Sequence, residues 1–263
     1  MFHINEAIVV DHFQRVIVAS ADTDVFVCLM YHFHHWAEYD LKELWIIMGQ
    51  GGSTKAVPIH TLANILSSNV IDALPALHAL SGCDTTSKVG TKKSALKVAE
   101  QSGHENIKLF GRENINQNML SSAEKYLVSC LSINSNSKTF DELRYETYHK
   151  RAFQLDFEKL PCTSKSIILH IKRAYYTCYR WCHVPFMEEI DLNPINYGYY
   201  EDVDENLVPE IIQGETIPND FPIPCNCIKC AKSNVCPCRV REIHCCEYCK
   251  CSASVNCKNP VKS

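Results

Sequence analysis

The chain has 263 residues, 46% hydrophobic and 21% charged, with a formal net charge of −4 at pH 7. No uncharged apolar run approaches the roughly 18 residues a membrane helix needs. The N-terminus carries Glu6 and Asp11 without a basic lead, which is not the pattern of a secretory signal and sets the expectation of an intracellular chain with reduced thiols.

The first 187 residues hold 19 Lys/Arg and 18 Asp/Glu and enough length to bury a real core. Arg15-Val-Ile-Val-Ala-Ser20 is a β-branched apolar run that reads as a buried parallel strand. It delivers Asp22 and Asp24 just past its C-terminal end, where open α/β sheets place ligands; capping of the next element is the plainer role for both. His32, His34 and His35 beside Trp36 sit where a helix ends, the dipole end that histidine favours. Leu44–Met48 reads as a second strand and Gly49–Gly52 as a turn. Lys55–Ile59 reads as a third, edge strand, because Pro58 lacks a ladder donor. Leu74–Leu80 predicts a short apolar helix with Pro75 in its first turn. It leads into Gly82-Cys83-Asp84, where Asp84 is also a natural helix N-cap. Thr91–Glu100 predicts a lysine-lined helix carrying Lys92, Lys93 and Lys97. Period-3.6 patterns predict longer helices over 116–133, 139–153 and 164–182.

From Glu188 to Phe221 there are ten acids and no Lys or Arg, punctuated by prolines. Such a stretch repels itself and is expected to run extended, with Tyr197, Tyr199 and Tyr200 packing locally.

Ten of the 16 cysteines then fall in the last 39 residues. A segment this short and poor in large apolar residues needs metal or disulfides to fold, and reduced thiols point to metal. Three C-x-C pairs (Cys225/Cys227, Cys236/Cys238, Cys249/Cys251) alternate with Cys230, Cys245 and Cys257. Thiolates this close can bridge neighbouring ions. Three tetrahedral zinc ions need about twelve ligand places, which nine cysteines fill when three sulfurs each serve two ions. Two separate four-cysteine sites are the alternative. Seven Lys/Arg stand against two Glu from Cys225 onward, and nine thiolates with three Zn²⁺ would leave the module at about +2. The cations there are Lys229, Lys232, Arg239, Arg241, Lys250, Lys258 and Lys262.

This run resembles the CXC repeat of tesmin-like DNA-binding proteins, and more distantly the nine-cysteine pre-SET cluster of histone methyltransferases. The match covers Cys225-Asn-Cys227, Cys236-Pro-Cys238, Cys245, Cys249-Lys-Cys251 and Cys257-Lys-Asn259, with Cys246 as the spare thiol. The resemblance implies zinc on Cys225, Cys227, Cys230, Cys236, Cys238, Cys245, Cys249, Cys251 and Cys257. It also implies DNA contact through Lys229, Lys232, Arg239, Arg241 and Lys250. Two departures weaken the DNA half: Val235 stands where the family carries Tyr, and there is one repeat where it typically has two.

Residues 1–110 carry a second resemblance. Ser20-x-Asp22-x-Asp24, then Gly82-Cys83-Asp84, then Val89-Gly-Thr-Lys-Lys93-Ser-Ala95-Leu is similar to the PIN-like nucleases of flap-endonuclease type. The closest likeness is to divergent PIN-like proteins with cysteine-rich tails, often in mobile-element-derived genes. The match implies Mg²⁺ or Mn²⁺ ligation by Asp22, Asp24 and Asp84 and phosphate contacts by Lys92, Lys93 and Lys97. The family's first strand and preceding acidic pair have no counterpart, so an N-terminally truncated, inactive domain is expected.

The expected architecture is therefore α/β: a truncated PIN-like parallel sheet with helices (1–112), a helical extension (113–187), an acidic linker (188–224) and a zinc module (225–257). The expected role is a zinc-binding, nucleic-acid-associated nuclear protein, with DNA bound weakly by the lone module and no membrane. The alternatives are a Mg²⁺-dependent structure-specific nuclease and a structural zinc module that docks on protein.

Overall fold

In the computed structural model, residues 1–49, 51–102, 105–132, 135–151, 159–184, 192–212, 225–227, 230, 236–240, 242–245, 249–251 and 257–259 are described. The chain divides into two units. One comprises Met1–Thr139 and Lys165–Ile211, the other Phe140–Ser164 and Ile212–Ser263.

The first unit begins with α1 (Phe2–Asn5) and a π-helical turn over Glu6–Val10. The β-branched run becomes β1 (Arg15–Ala19), after which α2 (Thr23–Ala37) crosses to β2 (Glu43–Met48). β1 and β2 pair in parallel with Ile17 opposite Trp45. β3 (Lys55–Pro58) runs antiparallel to β2, placing Pro58 opposite Trp45 at the sheet edge where a missing N–H is tolerated. The sheet order is β1-β2-β3, so the sheet is mixed rather than wholly parallel. The outer edge of β1 pairs with no strand among the described residues, and Ile17 on it is 60% exposed.

Helix α3 (Ile59–Ile65) follows β3 directly, and α4 (Ser68–Ser81) comes next. The apolar stripe of α2 (Leu29, Met30, Phe33, Trp36) closes with Leu44 and Ile46 of β2 and Ile59 of α3 into one core. Fully burying one such side chain contributes about 2 kcal/mol. Trp36 is wholly buried and satisfies its indole N–H on Asn5 Oδ1 at 3.0 Å. The sequence placed Pro75 at the start of a short helix. It lies instead inside α4, whose N-cap is Ser67. Pro75 is buried there, so apolar burial outweighs the backbone hydrogen bond that its ring removes.

Helices α5 (Lys92–Ser102), α6 (Glu105–Lys108), α7 (Gln117–Leu131) and α9 (Ser164–His183) follow, while α8 (Phe140–Arg151) lies in the second unit. α5 is opened by a reciprocal cap, with Ser94 N–H on Thr91 Oγ1 at 3.0 Å and Thr91 N–H on Ser94 Oγ at 3.1 Å. Within the first unit, α9 is held by polar anchors set among buried apolar residues. Tyr175 O–H donates to Glu113 O at 2.7 Å, His170 Nε2 meets Leu80 O at 2.9 Å, and the Cys178 thiol donates to Phe110 O at 3.3 Å. Gly111, at φ +81°, makes that last approach possible, because a Cβ there would stand 2.6 Å from Cys178 Sγ.

Within the acidic stretch, Tyr199–Glu201 (β4) and Leu207–Pro209 (β5) form an antiparallel hairpin. Asp202 closes it by accepting the N–H of Asp204 at 2.9 Å and of Asn206 at 2.8 Å. Tyr197 stacks on Tyr175 of α9 at 5.5 Å between ring centroids, the local tyrosine packing expected of this segment. No helix is long and apolar enough to cross a membrane among the described residues.

Candidate metal centre

The cysteine-rich end of the second unit holds little apolar material besides its sulfurs. Its core consists of Cys225, Cys230, Cys236, Cys238, Cys245, Cys249 and Cys251, with Cys227, Cys257 and Ile243 against them. The backbone that carries the thiols is folded on itself by a few main-chain hydrogen bonds. Lys250 N–H reaches Cys225 O at 2.9 Å, and Ile243 N–H reaches Cys238 O at 2.9 Å at the exit of α10 (Pro237–Val240). Cys230 adopts φ +43°, a left-handed turn that brings its sulfur back toward Cys225.

All nine thiols expected from the spacing come together. Four overlapping quartets have their sulfurs within 4.8 Å of one another: 225/227/230/236, 225/236/238/245, 225/245/249/251 and 230/245/251/257. Their union is the nine expected residues; Cys246 lies outside the described residues, as do Lys229, Lys232, Val235 and Arg241. Three sulfurs form a close triangle: Cys225–Cys230 at 3.4 Å, Cys230–Cys245 at 3.6 Å and Cys225–Cys245 at 3.9 Å. Cys251 approaches Cys225 at 3.5 Å and Cys249 approaches Cys238 at 3.7 Å. Sulfurs sharing one tetrahedral zinc at a Zn–S distance of about 2.3 Å lie about 3.8 Å apart. The cysteine spacing is therefore that of thiolates around common ions, and all nine thiols are free of disulfides. The cluster is capable of holding metal.

The electrostatics point the same way. Burial, with crowding by Cys225 and Cys236, pushes the Cys227 thiol up to about 11. Burial also dominates at Cys251, which rises to about 12, and it drives Cys230, Cys238 and Cys245 upward. Cys236 goes the other way, to about 7: burial opposes ionisation there, but a backbone hydrogen bond at Arg239 and the Cys230 and Cys225 thiols outweigh it. Nine thiolates cannot share this space without cations between them.

Asn259 clasps the cluster. Its carbonyl accepts Cys245 N–H at 2.8 Å, and its backbone N–H donates to Cys257 Sγ at 3.4 Å. Its side-chain Nδ2 donates to Ile243 O at 2.8 Å and to Cys245 Sγ at 3.6 Å.

No family model, curated protein or solved structure matches the chain. The chemistry must therefore be read from these residues alone.

The carboxylates at the end of β1 also converge. Asp22, Asp24 and Asp84 place ligand atoms within 4.8 Å of one another. Two of the three already have partners within the protein. Asp22 is the N-cap of α2, accepting Asp24 N–H at 2.8 Å. Asp24 Oδ1 meets Nε2 of His78 at 2.7 Å, a largely buried pair. Burial holds the His78 pKa below its ordinary value despite that carboxylate, and the nearby Lys92 adds to the depression, so a neutral His78 donates Nε2–H to Asp24. Thr85 and Trp181 complete the surroundings: Thr85 Oγ1 lies 2.9 Å from Thr177 Oγ1, and the Trp181 ring lies 5.6 Å from that of His78.

The expected phosphate-contacting lysines separate. Lys92 turns its Nζ onto the carbonyls of His78, at 2.8 Å, and Gly82, capping the C-terminus of α4. Burial lowers its pKa. Lys93 and Lys97 are exposed one turn apart on α5. In the cysteine unit, Arg239 NH1 donates to Cys230 O at 3.1 Å, buttressing the cluster, while Lys250 is exposed. Sequence reasoning missed His78 as the partner of Asp24, since 54 residues separate them. It also missed the hydrogen bonds of Asn259 to sulfur, whose only trace is its place at the close of the cysteine run.

Proposed function

We propose that this is a zinc protein whose C-terminal cysteines bind three ions through shared sulfurs, and that it works in contact with nucleic acid. The observation that carries the metal assignment is the Cys225–Cys230–Cys245 triangle with sides of 3.4–3.9 Å. In a three-ion cluster each pair of bridging sulfurs shares one ion, so the three bridges must stand one tetrahedral edge apart. The remaining thiols then sort into terminal pairs. Cys227 and Cys236 complete the ion on the 225/230 edge, and Cys251 and Cys257 the ion on the 230/245 edge, as two of the quartets do. Cys238 and Cys249, 3.7 Å apart, complete the ion on the 225/245 edge. Every thiol is used, and only the triangle is used twice. The zinc ions would supply most of the folding free energy of a segment with so little else to bury.

Native mass spectrometry of the zinc-loaded chain tests this. Three ions are expected, and two would overturn the shared cluster in favour of separate four-cysteine sites.

The nucleic-acid part of the reading rests on the tesmin-like spacing and on the exposed cations Lys250, Lys93 and Lys97. Contacts of this kind are electrostatic and weaken steeply with salt. Fluorescence-anisotropy titration of the zinc-loaded chain with duplex and single-stranded DNA at two salt concentrations is the test. Absence of binding, or binding indifferent to salt, would leave a structural zinc module that docks on protein.

Residues 1–112 we read as a PIN-like domain without nuclease activity. The motif order Asp22-x-Asp24, Gly82-Cys83-Asp84 and Lys92-Lys93 supports it, as does the gathering of the three carboxylates within 4.8 Å. Three carboxylates are too few to build a two-metal site. The second reading is a Mg²⁺- or Mn²⁺-dependent nuclease completed by acidic residues supplied from elsewhere. Mn²⁺-dependent cleavage of a flap substrate, abolished by Asp24→Asn, would establish that reading and overturn inactivity.

A further inference from the structure

We propose that Asn259 is a positioning residue of the thiolate cluster, whose side-chain amide fixes the Cys245 sulfur and stabilises its negative charge while that sulfur serves two ions. The inference rests on the three-ion reading above and assigns a role that the cysteine spacing does not contain.

Cys245 is, with Cys225, one of the two most demanding of the nine positions. Its sulfur belongs to three of the four quartets and to the bridging triangle. A thiolate has three lone pairs; two cations take two of them and leave one direction for a hydrogen-bond donor, so the orientation of a shared sulfur must be set more tightly than that of a terminal thiolate. Among the described residues, Asn259 holds the backbone of Cys245 by accepting its N–H at 2.8 Å. The same Asn259 sends Nδ2 to the sulfur at 3.6 Å and to Ile243 O at 2.8 Å. The Ile243 bond fixes the plane of the amide, so the second N–H of Nδ2 is aimed at the sulfur. Main chain and side chain of Cys245 are thus gripped from one side by one residue. The Asn259 backbone N–H adds a bond to Cys257 Sγ at 3.4 Å, a second sulfur of the 230/245/251/257 quartet.

The chemistry selects asparagine. Asp has the same shape but presents oxygen where the donor is needed, bringing a negative charge against a thiolate. Ala removes the donor and the Ile243 contact together. An N–H···S bond withdraws electron density from the thiolate, lowering its nucleophilicity toward protons, oxidants and competing metals. Groups that hold a metal ligand from behind in this way typically contribute about 10- to 100-fold to metal affinity.

The experiment uses the full-length chain as wild type, Asn259→Ala and Asn259→Asp. Each is loaded with zinc, counted by native mass spectrometry and challenged with a chromogenic chelator. All three should load the same number of ions. Asn259→Ala should then release part of its zinc about tenfold or more faster than wild type, and Asn259→Asp faster still. In the cobalt-substituted protein, the thiolate-to-metal charge-transfer band should move to lower energy in Asn259→Ala, a change that a packing role alone would not produce. Release from Asn259→Ala at the wild-type rate would overturn the proposal. If Asn259→Ala fails to load, Asn259→Asp decides: loading and release like wild type would show that the donor is irrelevant. A wild-type chain that takes up no zinc would instead refute the metal reading beneath the proposal, a result visible before any variant is made.

Discussion

Sharing sulfurs between ions has a stoichiometric signature in protons. At neutral pH most of the cluster thiols carry hydrogen, since burial and mutual crowding raise Cys227 to about 11 and Cys251 to about 12 and push Cys230, Cys238 and Cys245 upward. Each must lose its proton to bind metal. Nine thiols serving three ions release about three protons per ion, whereas two unshared four-thiol sites release about four. Against the effect of burial, Cys225 and Cys236 are both held below the ordinary thiol value by hydrogen bonds from neighbouring groups, and they bring the shared value somewhat below three. The sign is fixed by the same shifts: raised thiols make loading weaker as pH falls. One unit of acidification should cost each ion about a thousandfold in apparent affinity for the shared cluster, and about ten-thousandfold for separate sites. Calorimetric titration of the metal-free chain in two buffers of different ionisation enthalpy gives the proton count, and chelator competition at pH 6.5 and 7.5 gives the slope. Four protons per ion, with a slope to match, would refute the bridged arrangement.

Three further outcomes concern the first unit, whose Trp36, Trp45 and Trp181 are the only tryptophans of the chain and so report on it by fluorescence. Burial lowers His32 to about 4 against its ordinary 6.5; its stabilisation is complete above pH 6.5 and is lost as pH falls toward 4, by about 2 kcal/mol at pH 5. His32→Gln, which keeps a donor for Trp181 O, should flatten that part of the urea-midpoint profile, and an unchanged profile would exclude His32 as its source. Gly111→Ala should destabilise by about 2–3 kcal/mol in the same assay, because the residue sits at φ +81° and the new methyl would stand 3.0 Å from the carbonyl carbon of Cys178. Asp24→Asn, by weakening the largely buried contact to His78, should cost about 1–2 kcal/mol while leaving the zinc count unchanged; a lower zinc count would show that the first unit contributes to metal binding.

What could be read from the sequence was what local chemistry encodes. The run Val16–Val18 gave the parallel pairing of β1 with β2, but not burial, since the strand lies at the sheet edge with Ile17 60% exposed. The nine clustered thiols were legible because metal ligands must be close in space and were already close in the chain. Helix boundaries were less so: Ser67 begins α4 without a side-chain cap bond, so the visible proline signal at Pro75 misled. Helix α3 is only seven residues long and follows a strand without a break. Lys92 looked like a solvent-facing cation because nothing near it in sequence announces the carbonyls of His78 and Gly82 that it caps. The β4–β5 hairpin was hidden by acidity, since its turn is organised by one carboxylate, Asp202, among many. Each of these depends on partners that only folding brings near.

The free edge of β1 bears on how the protein behaves as a material. A strand with unpaired N–H and C=O groups along one side, reading Val-Ile-Val with Ile17 open to water and Phe13 and Val10 exposed just ahead of it, is a template for another strand. Among the described residues of β1, Arg15 at its start, paired with Glu43 at 2.6 Å, is the charge that guards it. Self-association of the protein in concentrated solution is expected to begin at this edge.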